Sequence, residues 1–125
     1  MLAPIAFCRN AENGYQWLSN MHPFPFEFRG RMWGSAEIAY CYYKVVLTSD
    51  DAVLLKDVRD EVESVAAKKK TAHLSKHLKW LPIRQHVMLA FLIGEYRTDP
   101  LRRWLMQTGD QPLYEATRDR FCAAV

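Results

Sequence analysis

The sequence predicts an α+β fold: a small antiparallel sheet packed with about five helices in one domain over residues 1–125. Three observations carry this. Phe24, Phe26 and Phe28 alternate ahead of Gly30, the pattern of a half-buried hairpin. Between about residues 35 and 109 several apolar stripes recur at helical spacing, most of them opened by a capping residue. After Pro112 the run Leu113-Tyr114-Glu115 reads as a short strand that joins the first residues in a sheet made from both chain ends.

Taken in order, residues 5–33 read as extended structure with the hairpin at its end. Ser35 is placed to cap a helix running to about Leu47. Thr48-Ser49-Asp50-Asp51 starts a second helix near 51–62, with Val53, Leu54 and Val58 inward. Ser64 opens a third, short and basic, near 65–77. Pro82 suits the first turn of a fourth, striped by Ile83, Val87, Phe91 and Leu92. Asp99-Pro100 is a cap-and-first-turn start for a fifth, and Gly109 its stop.

The chain has 125 residues, half of them hydrophobic, with net charge +3. That length suits one domain, and the mild charge permits a phosphate-bearing or nucleic-acid ligand without demanding one. No run approaches the roughly 18 apolar residues of a membrane span. The start lacks the basic region and apolar core of a signal peptide, so a cytoplasmic location is expected. Cys8, Cys41 and Cys122 are widely spaced and odd in number, without C-x-x-C pairing, so they are expected to be reduced and to hold no metal.

The chemistry concentrates in Gly34-Ser-Ala-Glu-Ile-Ala-Tyr-Cys-Tyr-Tyr-Lys44. On a helix, Glu37, Tyr40, Cys41 and Lys44 share a face. A first-turn carboxylate is favoured by the positive helix end, which keeps it ionised as a base or a cation stabiliser. Acids are common in first turns for that reason alone, and a lysine two turns on is commonly a surface residue. Spacing therefore leaves both readings open. The run Lys68-Lys69-Lys70, His73, Lys76, His77, Lys79 concentrates cations before Trp80. Phosphate or single-stranded nucleic acid is one reading, a solvated helix face the other. His73 and His77 have metal-site spacing but no obvious third ligand. Trp17, Trp33, Trp80 and Trp104 offer stacking surfaces, although core packing is the commoner fate of such residues. No glycine-rich phosphate loop, G-x-S-x-G or dinucleotide fingerprint is present.

The stretch FCRNAENGYQWLSNMHPFPFEFRGRMWGSAEIAYCYYK resembles the opening of the NADAR (YbiA-like) family: an aromatic start, F/L-S-N, a hairpin, then W/Y-P-T/S-x-E-H-x-F-Q-A-x-K. Later matches are Ala66-Ala67, Trp80 followed by IRQHVM, Glu95-Tyr96 near the family's K-F, and LMQTGDQPLYE for the family's L-L-x-T-G-D-x-x-L-V-E. The resemblance spans about residues 7–121.

It implies an N-glycosidase without metal or cofactor, acting on ADP-ribosylated nucleobases or on phosphorylated early riboflavin-pathway intermediates. By position it implies Glu37 and Lys44 as catalytic residues. Glu37 would stabilise the oxocarbenium ion or activate water, and Lys44 would bind phosphate or assist the leaving base. Ser19 and Asn20 would bond ribose or base, Trp33 and Trp80 would wall the pocket, and Asp110 would order its rim. Cys41 stands on the same face where the family has Gln, and Lys68, Lys69 and Lys70 would meet phosphates. Ile38 replaces the family's His and Gly34 its Pro. The positions of the family's W-G pair hold Cys122 and Ala123, and the family's closing helix has no counterpart. An apolar face left uncovered by that difference is the argument for a homodimer. The alternatives are a degenerate ADP-ribose or nucleotide binder and a protein-interaction module.

Overall fold

A computed structural model describes residues 2–116. Five α-helices and two two-stranded sheets make up the described residues, a mixed α+β fold. The hairpin pairs β2 (Phe26–Phe28) with β3 (Arg31–Trp33) in antiparallel register, Phe26 opposite Trp33. Arg29 and Gly30 both take positive φ, 51° and 80°, the two-residue turn whose twist matches that of paired strands. The Glu27 carboxylate accepts from the Gly30 N–H at 2.7 Å and braces that turn. The chain ends do pair, β1 (Ile5–Phe7) with β4 (Leu113–Glu115), but in parallel and in a sheet of their own. This corrects the expectation of one antiparallel sheet. With all five helices between them, the two strands run the same way, as a crossover connection permits.

Helix α1 (Ala36–Thr48) is the central element, packed against α2 (Ala52–Arg59), α3 (Ser64–Thr71) and α4 (Arg84–Tyr96). Ser35 caps it as expected, accepting from the Ile38 N–H at 3.2 Å. Asp51 caps α2 through Leu54 N–H at 3.0 Å, and Val58 of that helix is buried. Val53, expected inward, is 80% exposed: the helix ends at Arg59, and its buried stripe runs through Leu54, Leu55 and Val58 instead. Ser64 is not a cap but the first residue of α3, which ends at Thr71 before a 3₁₀ turn over Ala72–Leu74. Pro82 and Ile83 precede α4 rather than opening it. Pro100 occupies the cap position of α5 (Leu101–Gln107), with no side-chain cap from Asp99.

The core lies between α1, the hairpin and α4. Phe26, Trp33, Ile38, Val45, Val58 and Phe91 form it, with Phe28 and Phe91 ring centroids 4.8 Å apart. Truncating a ring such as Phe91 to alanine costs about 3–5 kcal/mol by cavity formation. Cys8, just after β1, is disulfide-bonded, which corrects the expectation of three reduced cysteines. Cys41 is free and buried, and Cys122 lies outside the described residues. No helix among the described residues is long and apolar enough to cross a membrane.

Candidate active site

The loop Ser19–His22 fastens onto the start of α1. The Asn20 carbonyl accepts from the Glu37 N–H at 2.9 Å, and the Asn20 Nδ2 donates to Glu37 Oε2 at 2.5 Å. Ser19 Oγ accepts from Met21 N–H at 3.2 Å, tightening the loop. Ser64 Oγ donates to the Met21 carbonyl at 2.8 Å and lies 2.7 Å from Ser35 Oγ. The loop, the cap of α1 and the first residue of α3 are thus tied through two serine hydroxyls.

Within this frame Glu37 is 6% exposed, with Cys41 and Lys44 below it on the same helix face. Burial raises the Glu37 carboxyl above its ordinary value; Lys68 and then Lys44 oppose that rise, while Glu115 adds to it. Burial likewise lowers the Lys44 ammonium, against the pull of Cys41 and Glu37. Lys44 Nζ donates to Ser75 Oγ at 3.0 Å and lies 5.8 Å from the centroid of the Tyr40 ring. The Cys41 Sγ donates to Glu37 Oε1 at 3.7 Å. Burial and the neighbouring carboxylate push that thiol up to about 11, so it stays protonated at neutral pH and is not a nucleophile.

Beside this group opens a cleft of about 440 Å³ whose walls include Arg9, Ser19, Lys68, Lys69 and Glu115. The chain ends contribute because the β1–β4 pair delivers Glu115 to it. Arg9, Lys68 and Lys69 thus share the cleft wall with the Glu115 carboxylate, and the buried Glu37, outside that lining, feels the charges of Lys68 and Glu115. Such a set can favour a developing cation at one point and hold an anion a few ångströms away.

Other nominated residues fall elsewhere. Trp33 is buried in the core against Tyr42, Tyr43 and Phe91, and its indole N–H has no partner among the described residues. Trp80 is fully buried and supports Tyr40 edge-to-face at 4.9 Å, so it acts behind that ring rather than as a cleft wall. Lys70 turns away to Asp57 and Glu61, at 3.0 and 2.6 Å, and ties α3 back to α2. Asp110 is exposed after α5 and lines neither this cleft nor the one described below. Among the described residues no three His, Cys, Asp or Glu side chains gather as metal ligands, and His77 Nδ1 accepts from Lys79 N–H.

Sequence reasoning missed Glu115 and Ser75. Glu115 had a visible signal, a carboxylate closing the Leu-Tyr-Glu strand, but its partner strand lies at the other end of the chain. A further buried acid, Glu95 of α4, is 1% exposed and accepts from the Ala36 N–H. Burial pushes it up to about 8, and its Oε2 has no partner among the described residues.

No family model and no curated protein matches this sequence. Among solved structures the chain is similar to the NMR structure of the E. coli protein YbiA, with a TM-score of 0.73 and 21% sequence identity. The match covers 92% of this chain and 67% of that one. The fold is therefore YbiA-like.

Proposed function

We propose that this chain, built on a YbiA-like fold, is an N-glycosidase that hydrolyses the bond between ribose C1′ and a base nitrogen. Its substrate would be an ADP-ribosylated nucleobase or a ribosyl-phosphate metabolite. The observation that carries this reading is the buried Glu37 carboxylate, fixed at the start of α1 by Asn20 and flanked by Lys44 and Lys68.

The chemistry follows from that arrangement. As the C1′–N bond breaks, its electron pair goes to the base and positive charge spreads over C1′ and the ring oxygen. A carboxylate in a low-dielectric site stabilises that charge more than water does. Glu37 then takes a proton from the water whose oxygen bonds to C1′, giving the hemiacetal product. The departing base takes up a proton from Lys44 or solvent. Lys68 and Lys69, exposed on the cleft wall, would meet the substrate's phosphates.

The test is base release from ADP-ribosylated guanine in a short single-stranded DNA, wild type beside Glu37→Gln. Release by the wild type alone supports the proposal. If this DNA is inert, phosphorylated riboflavin-pathway intermediates are tested the same way, and inertness towards both overturns it. Binding without turnover is the second reading, favoured by Cys41, whose thiol cannot replace both hydrogen-bonding functions of a carboxamide. It predicts that ADP-ribose raises the Tm of wild type and Glu37→Gln alike, with no release from either.

A further inference from the structure

A second cleft, of about 560 Å³, has walls unlike those beside Glu37. Trp17 and Trp104, both partly exposed, meet at 5.6 Å between ring centroids and 57° between planes, with Tyr15 6.2 Å from Trp17. Gln16 and Gln107 also line it, Gln107 with its side chain exposed. The Gln16 Oε1 is buried with no hydrogen-bond partner among the described residues, a cost relieved when a ligand N–H donates to it. His22 completes the wall, and its partial burial lowers its pKa and favours the neutral ring. The cleft therefore offers aromatic faces and amides but no fixed charge.

Charge stands next door. Gln107 is shared with an adjoining groove lined by Arg102 and Arg103 of α5, together with Asp99 and Met106. Aromatic faces with carboxamides suit a flat heteroaromatic ring bearing a donor and an acceptor edge, and glutamine bonds such an edge in two places. Guanidinium groups a short step away suit a phosphate. A neutral sugar would use the aromatic faces but not the arginines.

We propose that this cleft binds the unmodified base of a nucleotide, stacked on Trp104 or Trp17 and hydrogen-bonded by Gln16 and Gln107, with its phosphate towards Arg102 and Arg103. The site is separate from Glu37, so the inference does not depend on any glycosidase activity. It assigns the α5 side of the molecule a role in holding a nucleotide or one residue of a single strand.

The experiment is a titration of tryptophan fluorescence with adenosine monophosphate, and in parallel with ribose 5-phosphate and a methyl glucoside. It uses the full chain carrying Glu37→Gln, so that no turnover enters. Saturable quenching by adenosine monophosphate, but by neither control, is expected. Trp104→Ala should weaken it about 5- to 100-fold, as the loss of one stacking surface does. Should Trp104→Ala fail to fold, the double variant Gln16→Ala with Gln107→Ala is read instead, and the same direction of change is expected. No saturation by about 10 mM nucleotide overturns the proposal, as does binding unaffected by the readable variant. Equal quenching by ribose 5-phosphate reduces the site to a phosphate contact, and preference for the glucoside makes it a sugar site; either result also overturns it.

Discussion

Asn20 holds Glu37 from two sides, its carbonyl on the Glu37 N–H at 2.9 Å and its side-chain amide on Oε2 at 2.5 Å. A loop residue thereby fixes both the backbone and the carboxylate of a helical residue 17 positions on. Under the glycosidase reading, Asn20 is a positioning residue. Asn20→Ala should lower kcat for base release by about 10²-fold, as loss of an oriented hydrogen-bond donor does. KM should move far less, because the cleft cations remain. Steady-state kinetics by chromatography of released base checks this, and a change confined to KM would count against the assignment.

The ionisation of Glu37 sets the acid side of the pH profile. Burial raises its carboxyl above the ordinary 4.5, and the ionised form is the working one. The rate should therefore fall about tenfold per pH unit below a midpoint that lies above 4.5, and level off above it. Lys68 is the first of the groups that hold this carboxyl down. Lys68→Ala should displace the acid limb to higher pH, whereas a limb that stays in place would separate Lys68 from the site.

Two neighbouring lysines should behave oppositely. Lys68 lies on the cleft wall, while Lys70 is engaged by Asp57 and Glu61. Lys68→Ala should raise KM for a phosphate-bearing substrate about 5- to 10-fold and reduce its salt dependence by about one charge. Lys70→Ala should leave KM alone and loosen only the tie between α3 and α2. KM measured over a series of salt concentrations distinguishes them.

The sequence made the helices legible wherever a side chain announced a boundary, as Ser35 and Asp51 do. It misled where a residue type had two uses. Ser64 looks like a cap, but its hydroxyl bonds the Met21 carbonyl. Pairing direction was invisible because β1 and β4 are more than a hundred residues apart. The stripe of Glu37, Cys41 and Lys44 was readable from helical spacing alone. Its surroundings were not, since Asn20, Ser75 and Glu115 reach it through tertiary contacts that no local period records. Trp33 and Trp80 show the converse: an aromatic beside a motif is as readily its buried support as its wall.

Gly94 marks a close approach of α4 to the hairpin. A Cβ built there would stand 2.8 Å from Phe28 Cδ2, against a ring already packed on Phe91. Helix propensity favours alanine over glycine by up to about 1 kcal/mol. The steric clash should outweigh it, so Gly94→Ala should destabilise by about 1–3 kcal/mol net. Urea unfolding gives the sign directly; a stabilised variant would mean that the Phe28 ring moves aside freely.

Glu95 gives the fold a pH dependence of its own. Its carboxyl is pushed up to about 8 by burial, from an ordinary value of 4.5, while the Ala36 N–H bond partly opposes the shift. Between those two values the unfolded chain has released this proton and the folded chain retains it. The contribution of Glu95 to stability is therefore fully present below about pH 4.5 and is lost as pH rises through about 8. Glu95→Gln keeps an acceptor for Ala36 and removes the ionisation, so its stability should be flatter over this range. At pH 9 it should equal or exceed the wild type, by an amount on the order of 5 kcal/mol at most. Denaturant melts of both proteins at pH 5, 7 and 9 decide the matter. Parallel loss of stability in the two would place the titrating group elsewhere.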